Sequence, residues 1–289
     1  MRRLVPSCFL VVLAGCPAGQ PPPCQVVATQ GSTPPYLARL TTKETSGACT
    51  GVEPLSVMRL GVQRFAALGD AGASLGLKAQ RFDDLAEGRV FTANTDARND
   101  CQAALEGDPQ PRCETCSADG GNACVLVADP VKRVDPVDPS GARRTAVAPF
   151  PLEPIAGRCV AAEPLVAEQS FRAEPLRLVD GGVATLPALD VRLTFSDVSV
   201  VTTADVPGTA FTATLTRVEG PCTTVSDVVA FFPAVACARD SQCATAVDLD
   251  AGISTVSGLN PAFKPVCDTT IGFCVPTVDV TKPGLPPLP

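Results

Sequence analysis

The sequence predicts a mainly β protein, built as an antiparallel β-sandwich or alternatively as a β-barrel, with a disulfide-rich segment at its C-terminus. Short apolar runs in which every second residue is polar predict half-buried strands. The apolar residues are mostly Ala, Val and Leu, with one Tyr and no Trp, and β-branched side chains pack well on a pleated surface. The chain also has 14 cysteines, and such enrichment is typical of proteins from oxidising compartments.

Residues 1–15 are predicted to form a signal peptide. Arg2 and Arg3 precede an apolar stretch over residues 4–14, which is too short to span a bilayer, since a span needs about 20 apolar residues. The stretch ends in Leu-Ala-Gly-Cys at Cys16, which resembles the lipobox of a bacterial lipoprotein signal. The resemblance implies that Cys16 is acylated and becomes the mature N-terminus. The alternative is ordinary cleavage near Ala18, which would release a soluble secreted protein.

The lipobox also predicts where the protein is located. An acylated Cys16 makes the membrane its partner through a lipid anchor. The next residue is Pro17, whereas Asp at this position retains enterobacterial lipoproteins at the inner membrane. By resemblance to that sorting rule, we expect a lipid-anchored protein of the bacterial cell envelope, located at the outer membrane.

Residues 16–35 are predicted to be a proline-rich tether. Its Pro, Gly, Gln, Ser and Thr content suits a semi-rigid spacer. Cys24 lies within the tether, so its later half is expected to be attached to the β domain, which is predicted over residues 36–236.

Alternating residues predict the strands of the β domain. Residues 75–80 alternate between apolar and polar or small, and so do residues 191–200, with a bulge near Asp197. Residues 211–216 alternate as well, and Pro207 with Gly208 supplies a turn, which predicts a hairpin. Further strand candidates are the apolar stretches 55–65, 124–128, 159–166 and 225–232.

Three stretches are not expected to be strands. Residues 129–154 are dense in Pro and charge and are predicted to be a long loop of the β domain or an interdomain link. Residues 100–105 could form one short helix with Asn99 as its N-cap. Residues 277–289 are predicted to be a disordered proline-rich tail.

The remaining cysteines predict a disulfide framework. Loss of Cys8 with the signal and acylation of Cys16 leave 12 of the 14 cysteines, an even number that allows up to six bridges. Their pairing is not fixed by the sequence. The candidates are Cys24, Cys49, Cys101, Cys113, Cys116, Cys124, Cys159, Cys222, Cys237, Cys243, Cys267 and Cys274.

Cys113 and Cys116 form a Cys-x-x-Cys motif, with Cys101 and Cys124 nearby. Four thiolates could hold a tetrahedral zinc ion, or the motif could be a redox pair. An oxidising location disfavours both, and the charge of Glu114 opposes a stabilised thiolate. Two structural disulfides are the favoured interpretation.

No catalytic constellation is evident. Gly72–Gly76 matches the Gly-x-Ser-x-Gly elbow of α/β-hydrolases, but Ser74 would need a base, and the chain has no histidine. A pair of Ser74 with Lys78 is the remaining alternative. Asp248–Gly252 matches only the start of a calcium loop. We therefore expect neither an enzyme nor a bound cofactor or metal.

The C-terminal cysteines predict a separate segment over residues 237–276. An Asp-Ser-x-Cys step ends at Cys243, and a Cys-Asp step at Cys267 is followed by Gly-x-Cys ending at Cys274. This pattern resembles a short Cys-rich module of uncharacterised surface lipoproteins of myxobacterial type, although the insertion between Cys243 and Cys267 is longer than usual. The resemblance implies an exported, disulfide-bonded protein and no particular activity.

The charge composition of the chain reduces the number of function classes to consider. The formal net charge of −7 disfavours nucleic acid, which requires clustered Lys and Arg. We expect a lipid-anchored envelope protein with a structural or binding role, with an envelope protein as a possible partner. The alternatives are a β-barrel carrier of a small apolar ligand and a hydrolase that uses paired carboxylates.

Overall fold

The computed structural model describes residues 23–29, 33–66, 72–85, 113–115, 125–126, 137–177 and 183–280. Sixteen strands lie within these ranges, together with a helical turn at residues 81–85 and two 3-10 turns, Asp240–Cys243 and Pro261–Phe263. The strands are β1 (Tyr36–Gly47), β2 (Val57–Ala66), β3 (Ala73–Ala79), β4 (Cys113–Thr115), β5 (Val125–Leu126), β6 (Val137–Arg143), β7 (Thr145–Phe150), β8 (Arg158–Val160), β9 (Leu165–Phe171), β10 (Glu174–Arg177), β11 (Val183–Leu186), β12 (Leu189–Thr202), β13 (Pro207–Glu219), β14 (Cys222–Phe231), β15 (Pro265–Asp268) and β16 (Phe273–Pro276).

Ten of these strands form one antiparallel sheet in the order β6-β9-β12-β13-β14-β1-β2-β3-β7, with β8 paired to β12. The sheet nearly closes on itself, because β6 pairs with β9 while β7, which follows after Arg144 alone, pairs with β3. One continuous segment, residues 137–150, therefore forms both edges of the sheet. The mainly antiparallel β class is confirmed, and the barrel alternative describes this sheet better than two stacked sheets do.

The predicted hairpin is present as β12 and β13. Phe195 pairs with Leu215, and the register shifts between Ser196 and Ser199. Asp197 lies in this shift with a φ of 54°, so the bulge is confirmed. A bulge adds one residue to a strand and increases its twist, and twist is what a sheet needs in order to curl into a barrel.

The interior of the barrel is filled by side chains. Inward-facing residues of β1–β3, β7–β9 and β12–β14 form one contiguous cluster of buried apolar residues. Its largest members are Tyr36, Phe82, Phe171, Phe195, Phe211, Leu60, Leu75, Leu77 and Leu165. Phe82 enters the cluster from the helical turn at residues 81–85. The core therefore resembles the interior of a small barrel that is filled by packed side chains, here both aromatic and aliphatic.

The expectation of a loop over residues 129–154 is wrong for residues 137–150, which form β6 and β7. In β7, Ala146, Ala148 and Phe150 are buried and the residues between them are exposed. The sequence hides this alternation, because the exposed positions include Val147 and Pro149 and two of the buried residues are alanines, which carry little apolar surface. The helix predicted at residues 100–105 lies outside the described residues.

A second core joins the C-terminal segment to the outside of the barrel. Leu37 and Phe231, which face away from the interior, pack in one cluster with Leu259, Phe263 and Val275. The disulfide-rich C-terminal segment is confirmed. This cluster also includes Val280, so residues 277–280 are packed and do not belong to the disordered tail predicted from residue 277; residues 281–289 lie outside the described part of the chain.

Candidate functional site

The segment 23–29 is bonded to three parts of the barrel near one end. The amide of Cys24 donates to the carbonyl of Leu152 at 2.9 Å and the amide of Val27 donates to the carbonyl of Gly208 at 3.4 Å. Thr29 is bonded to Val62 on β2 in three ways: its amide and its hydroxyl donate to the carbonyl of Val62, and its hydroxyl accepts from the amide of Val62. We call this the Cys24 end of the barrel. The later half of the predicted tether is thus part of the fold.

Tyr36, the only tyrosine of the chain, holds this segment from inside the barrel. Its hydroxyl donates to the carbonyl of Gly208 at 2.7 Å and accepts from the amide of Val27 at 3.0 Å. Its ring packs against Phe211 and Phe232, with centroids 5.8 and 5.2 Å away. Burial raises the pKa of Tyr36 well above its usual range. Tyr36 is therefore neutral, and its hydrogen bonds hold the N-terminal segment against the barrel.

A covalent bond completes the attachment. Cys24 is bonded to Cys159 in β8, and both cysteines have no exposed surface. Cys16, the predicted lipidation residue, lies outside the described residues, eight positions before Cys24. Whatever is attached at Cys16 is therefore connected to the barrel through a short chain and a buried disulfide.

Three other disulfides lie within the described residues. Cys49–Cys222 joins the end of β1 to the start of β14, and Cys237–Cys267 and Cys243–Cys274 hold the C-terminal segment. Of the other candidates, Cys101, Cys116 and Cys124 lie outside the described residues, as does the side chain of Cys113. The Cys-x-x-Cys prediction therefore stays a prediction.

The sulfurs of Cys237, Cys243 and Cys274 lie within 4.8 Å of one another. Such a group could bind a metal ion only as thiolates. Here the sulfurs belong to two neighbouring disulfides. In this arrangement they act as cross-links.

A buried ionic network occupies the opposite end of the barrel, which we call the Glu219 end. Arg81 donates to both carboxylate oxygens of Glu219 at 3.0 and 3.2 Å and to Glu53 at 3.0 Å. Arg217 donates to Glu219 at 3.4 Å and twice to the backbone carbonyl of Glu53 at 3.1 Å. Sequence analysis missed this network, because Arg81 and Glu53 are far from β13 in the chain. The signal that could have indicated it is the pair Arg217 and Glu219, two charged residues at consecutive inward positions of β13.

The charges in the network are balanced. Burial lowers the pKa of Arg217. Burial also acts to lower the pKa of Arg81, but the hydrogen bonds and charges of Glu219 and Glu53 outweigh it and raise that pKa. Buried charges persist in proteins when they are paired and hydrogen-bonded. The two carboxylates share one guanidinium, which is the geometry of a structural ion pair and not of two carboxylates facing a substrate.

The remaining sequence candidates lie in ordinary structure. Ser74 is within strand β3, whereas a nucleophile elbow needs a sharp turn from a strand into a helix. Asp248 caps an exposed turn, where its carboxylate accepts from the amide of Ala251 at 3.0 Å. In the part of the chain that the structure describes, no helix is long and apolar enough to cross a bilayer.

Comparison with known proteins adds a family match. The family model named MlpA matches residues 34–233, which begin just before β1 and end just after β14. The "putative lipoprotein MlpA" of Myxococcus xanthus is 35% identical over 101 residues, or 33% of this chain. The matched part is 41% of that relative's length, so less than half of the relative is represented here. No solved structure matches.

Proposed function

The chain belongs to the MlpA family, and from this membership we propose that it is a lipoprotein acylated at Cys16 and held at the outer membrane, where its barrel has a structural or binding role without catalysis. The observation that carries the proposal is the attachment of segment 23–29 to the barrel. This segment begins seven residues after Cys16 and is fixed by a buried disulfide, by Tyr36 and by backbone hydrogen bonds.

The packed interior of the barrel favours a role in which the outer surface binds a partner over one in which the interior carries a small apolar ligand. A carrier needs an open, largely preformed cavity, whereas inward-facing residues of the strands form a contiguous buried cluster. A partner protein of the envelope is therefore the more suitable ligand class. The charged pairs at the Glu219 end, which are already bonded to each other, fit a structural role.

The test of the anchor compares two cysteine variants in a bacterium that processes lipoproteins. Cys16→Ser should lose fatty-acid labelling and leave the membrane fraction, because the acyl chains cannot be attached. Cys8→Ser is the matched control, since it lies within the signal peptide and leaves the lipobox intact. Membrane retention of unacylated Cys16→Ser would disprove the anchor. Recovery of the wild-type protein in inner-membrane fractions of a density gradient would disprove the outer-membrane location alone.

A further inference from the structure

An apolar hairpin projects from the Cys24 end of the barrel. Residues 151–160 contain three large apolar side chains that are well exposed, namely Leu152 (51%), Ile155 (84%) and Val160 (52%). We call these residues the 151–160 loop. Burying such side chains is favourable, and an exposed group of them typically marks an interaction site.

The loop is held in a defined shape. The amides of Ile155 and Arg158 each donate to the other's carbonyl, at 2.9 and 3.0 Å. Between them Ala156 and Gly157 have φ values of 50° and 73°, the left-handed conformation of a tight hairpin turn. Ile155 thus stands beside the turn, with its side chain directed into solvent by a rigid backbone.

Both limbs of the loop are attached to the segment that leads to Cys16. The carbonyl of Leu152 accepts from the amide of Cys24, and Cys159 forms the disulfide with Cys24. Eight residue steps separate Cys24 from Cys16, and they span at most about 28 Å when fully extended, at about 3.5 Å per residue. An acyl chain at Cys16 therefore keeps this end of the barrel close to the bilayer.

We propose that the 151–160 loop is a second membrane contact, in which Leu152, Ile155 and Val160 enter the interface of the bilayer that anchors Cys16. This inference rests on the proposed acylation of Cys16. Glu153 is also exposed and remains in the hydrated headgroup layer, which keeps the insertion shallow. Because the chain has a formal net charge of −7, the contact depends on apolar burial and not on anionic lipid.

The absence of tryptophan from the chain makes a direct test possible. Ile155→Trp introduces the only tryptophan at the tip of the loop. Thr45→Trp is the matched control, because Thr45 is exposed near the end of β1, at the Glu219 end of the barrel. Both variants are prepared as full-length acylated protein in vesicles of phosphatidylcholine, with and without brominated acyl chains, and both are first checked for the unfolding midpoint of the parent.

Brominated lipid should reduce the fluorescence of Ile155→Trp about twofold or more and leave Thr45→Trp unchanged, while aqueous iodide should quench Thr45→Trp preferentially. If Ile155→Trp floats with the vesicles but is quenched by iodide and not by brominated lipid, the loop contact is disproved and the anchor stands. If the acylated protein does not float with vesicles, the proposed anchor itself fails.

Discussion

At the scale of single residues, Tyr36 reports on the Cys24 end of the barrel. It is the only tyrosine, it is fully buried, and its hydroxyl joins Gly208 to Val27. Ionisation of this hydroxyl would remove the hydrogen that it donates and would place a charge in the core. The phenol therefore stays neutral as long as the barrel is folded.

We predict that phenolate absorbance does not appear near pH 10, the usual pKa of tyrosine, but only as the protein unfolds. The pKa of Tyr36 is raised in the folded state. The contribution of its hydroxyl to the free energy of unfolding is therefore constant below pH ~10. Above that pH it decreases by up to about 1.4 kcal/mol per pH unit. Tyr36→Phe should abolish this alkaline dependence. A reversible phenolate signal near pH 10 in protein that remains folded would contradict the prediction.

The second residue-scale prediction concerns the two carboxylates around Arg81. Glu219→Gln leaves two buried arginines without their shared anion, so we expect a loss of about 3 kcal/mol or more in the free energy of unfolding. Glu53→Gln is the control, because the Glu53 side chain is 69% exposed and an exposed pair contributes about 1 kcal/mol or less. Its backbone carbonyl, which Arg217 binds, is unchanged. Equal losses in urea unfolding would show that the network does not depend on Glu219.

At the scale of elements, a pair of glycines measures how tightly segment 23–29 is packed. Gly208 and Gly72 have φ values of 72° and 83°, so alanine is strained at both positions by about 1–2 kcal/mol. A Cβ at Gly208 would overlap the backbone carbonyl of Gln25, whereas a Cβ at Gly72 meets nothing within 4 Å. The difference between the two variants isolates the contact with the segment.

We therefore expect Gly208→Ala to lose about 1–3 kcal/mol more than Gly72→Ala in urea unfolding. The displaced Gln25 should also weaken the bond from Val27 to Gly208, so amide exchange at Val27 should accelerate in Gly208→Ala and not in Gly72→Ala. If the two alanine variants behave alike in both measurements, the segment is not packed against β13.

Some elements could be predicted from the sequence because their signal is local. The hairpin of β12 and β13 follows from alternation and from the turn at Pro207. Its bulge follows from Asp197, a polar residue that strict alternation would turn inward and that the bulge leaves exposed. β7 was missed because its inward residues are chiefly alanines, and the helical turn at residues 81–85 was missed because one turn is too short to show a helical period. Short elements are specified by their surroundings more than by their own pattern.

The candidate site was predicted less completely, and for a physical reason. The lipobox is a linear signal, so the prediction of lipidation at Cys16 rests on four consecutive residues, and it stays a prediction because Cys16 lies outside the described residues. The attachment of Cys24 to Cys159 spans 135 positions, and the pairing of Arg81 with Glu219 spans 138. Such contacts arise only when the sheet curls, and no local periodicity encodes them.

At the scale of the whole molecule, the described part of the chain has two buried cores, and its disulfides differ in loop length between the barrel and the C-terminal segment. Cys24–Cys159 and Cys49–Cys222 close long loops across the barrel, whereas Cys237–Cys267 and Cys243–Cys274 close loops of about thirty residues in the C-terminal segment. In the chain-entropy model, a disulfide that closes a long loop of this kind adds about 5 kcal/mol to the free energy of unfolding, and one that closes a short loop adds about 4 kcal/mol. The family match ends before the C-terminal segment, so the barrel is the shared unit.

Burial predicts the order in which these bridges are reduced in the folded protein. Thiol attack needs access to a sulfur. Two bridges have at least one partly exposed cysteine, namely Cys237–Cys267 and Cys49–Cys222. They should therefore react before the two fully buried bridges, Cys24–Cys159 and Cys243–Cys274. Timed alkylation and peptide mass mapping would measure the order, and the same reaction in denaturant, where the differences should shrink, is the control. Early reduction of Cys24–Cys159 would contradict the prediction. Late reduction would mean that Cys159 stays bonded to the segment leading to Cys16 after the exposed bridges have opened, so that the 151–160 loop keeps its place beside that segment under mild reducing conditions.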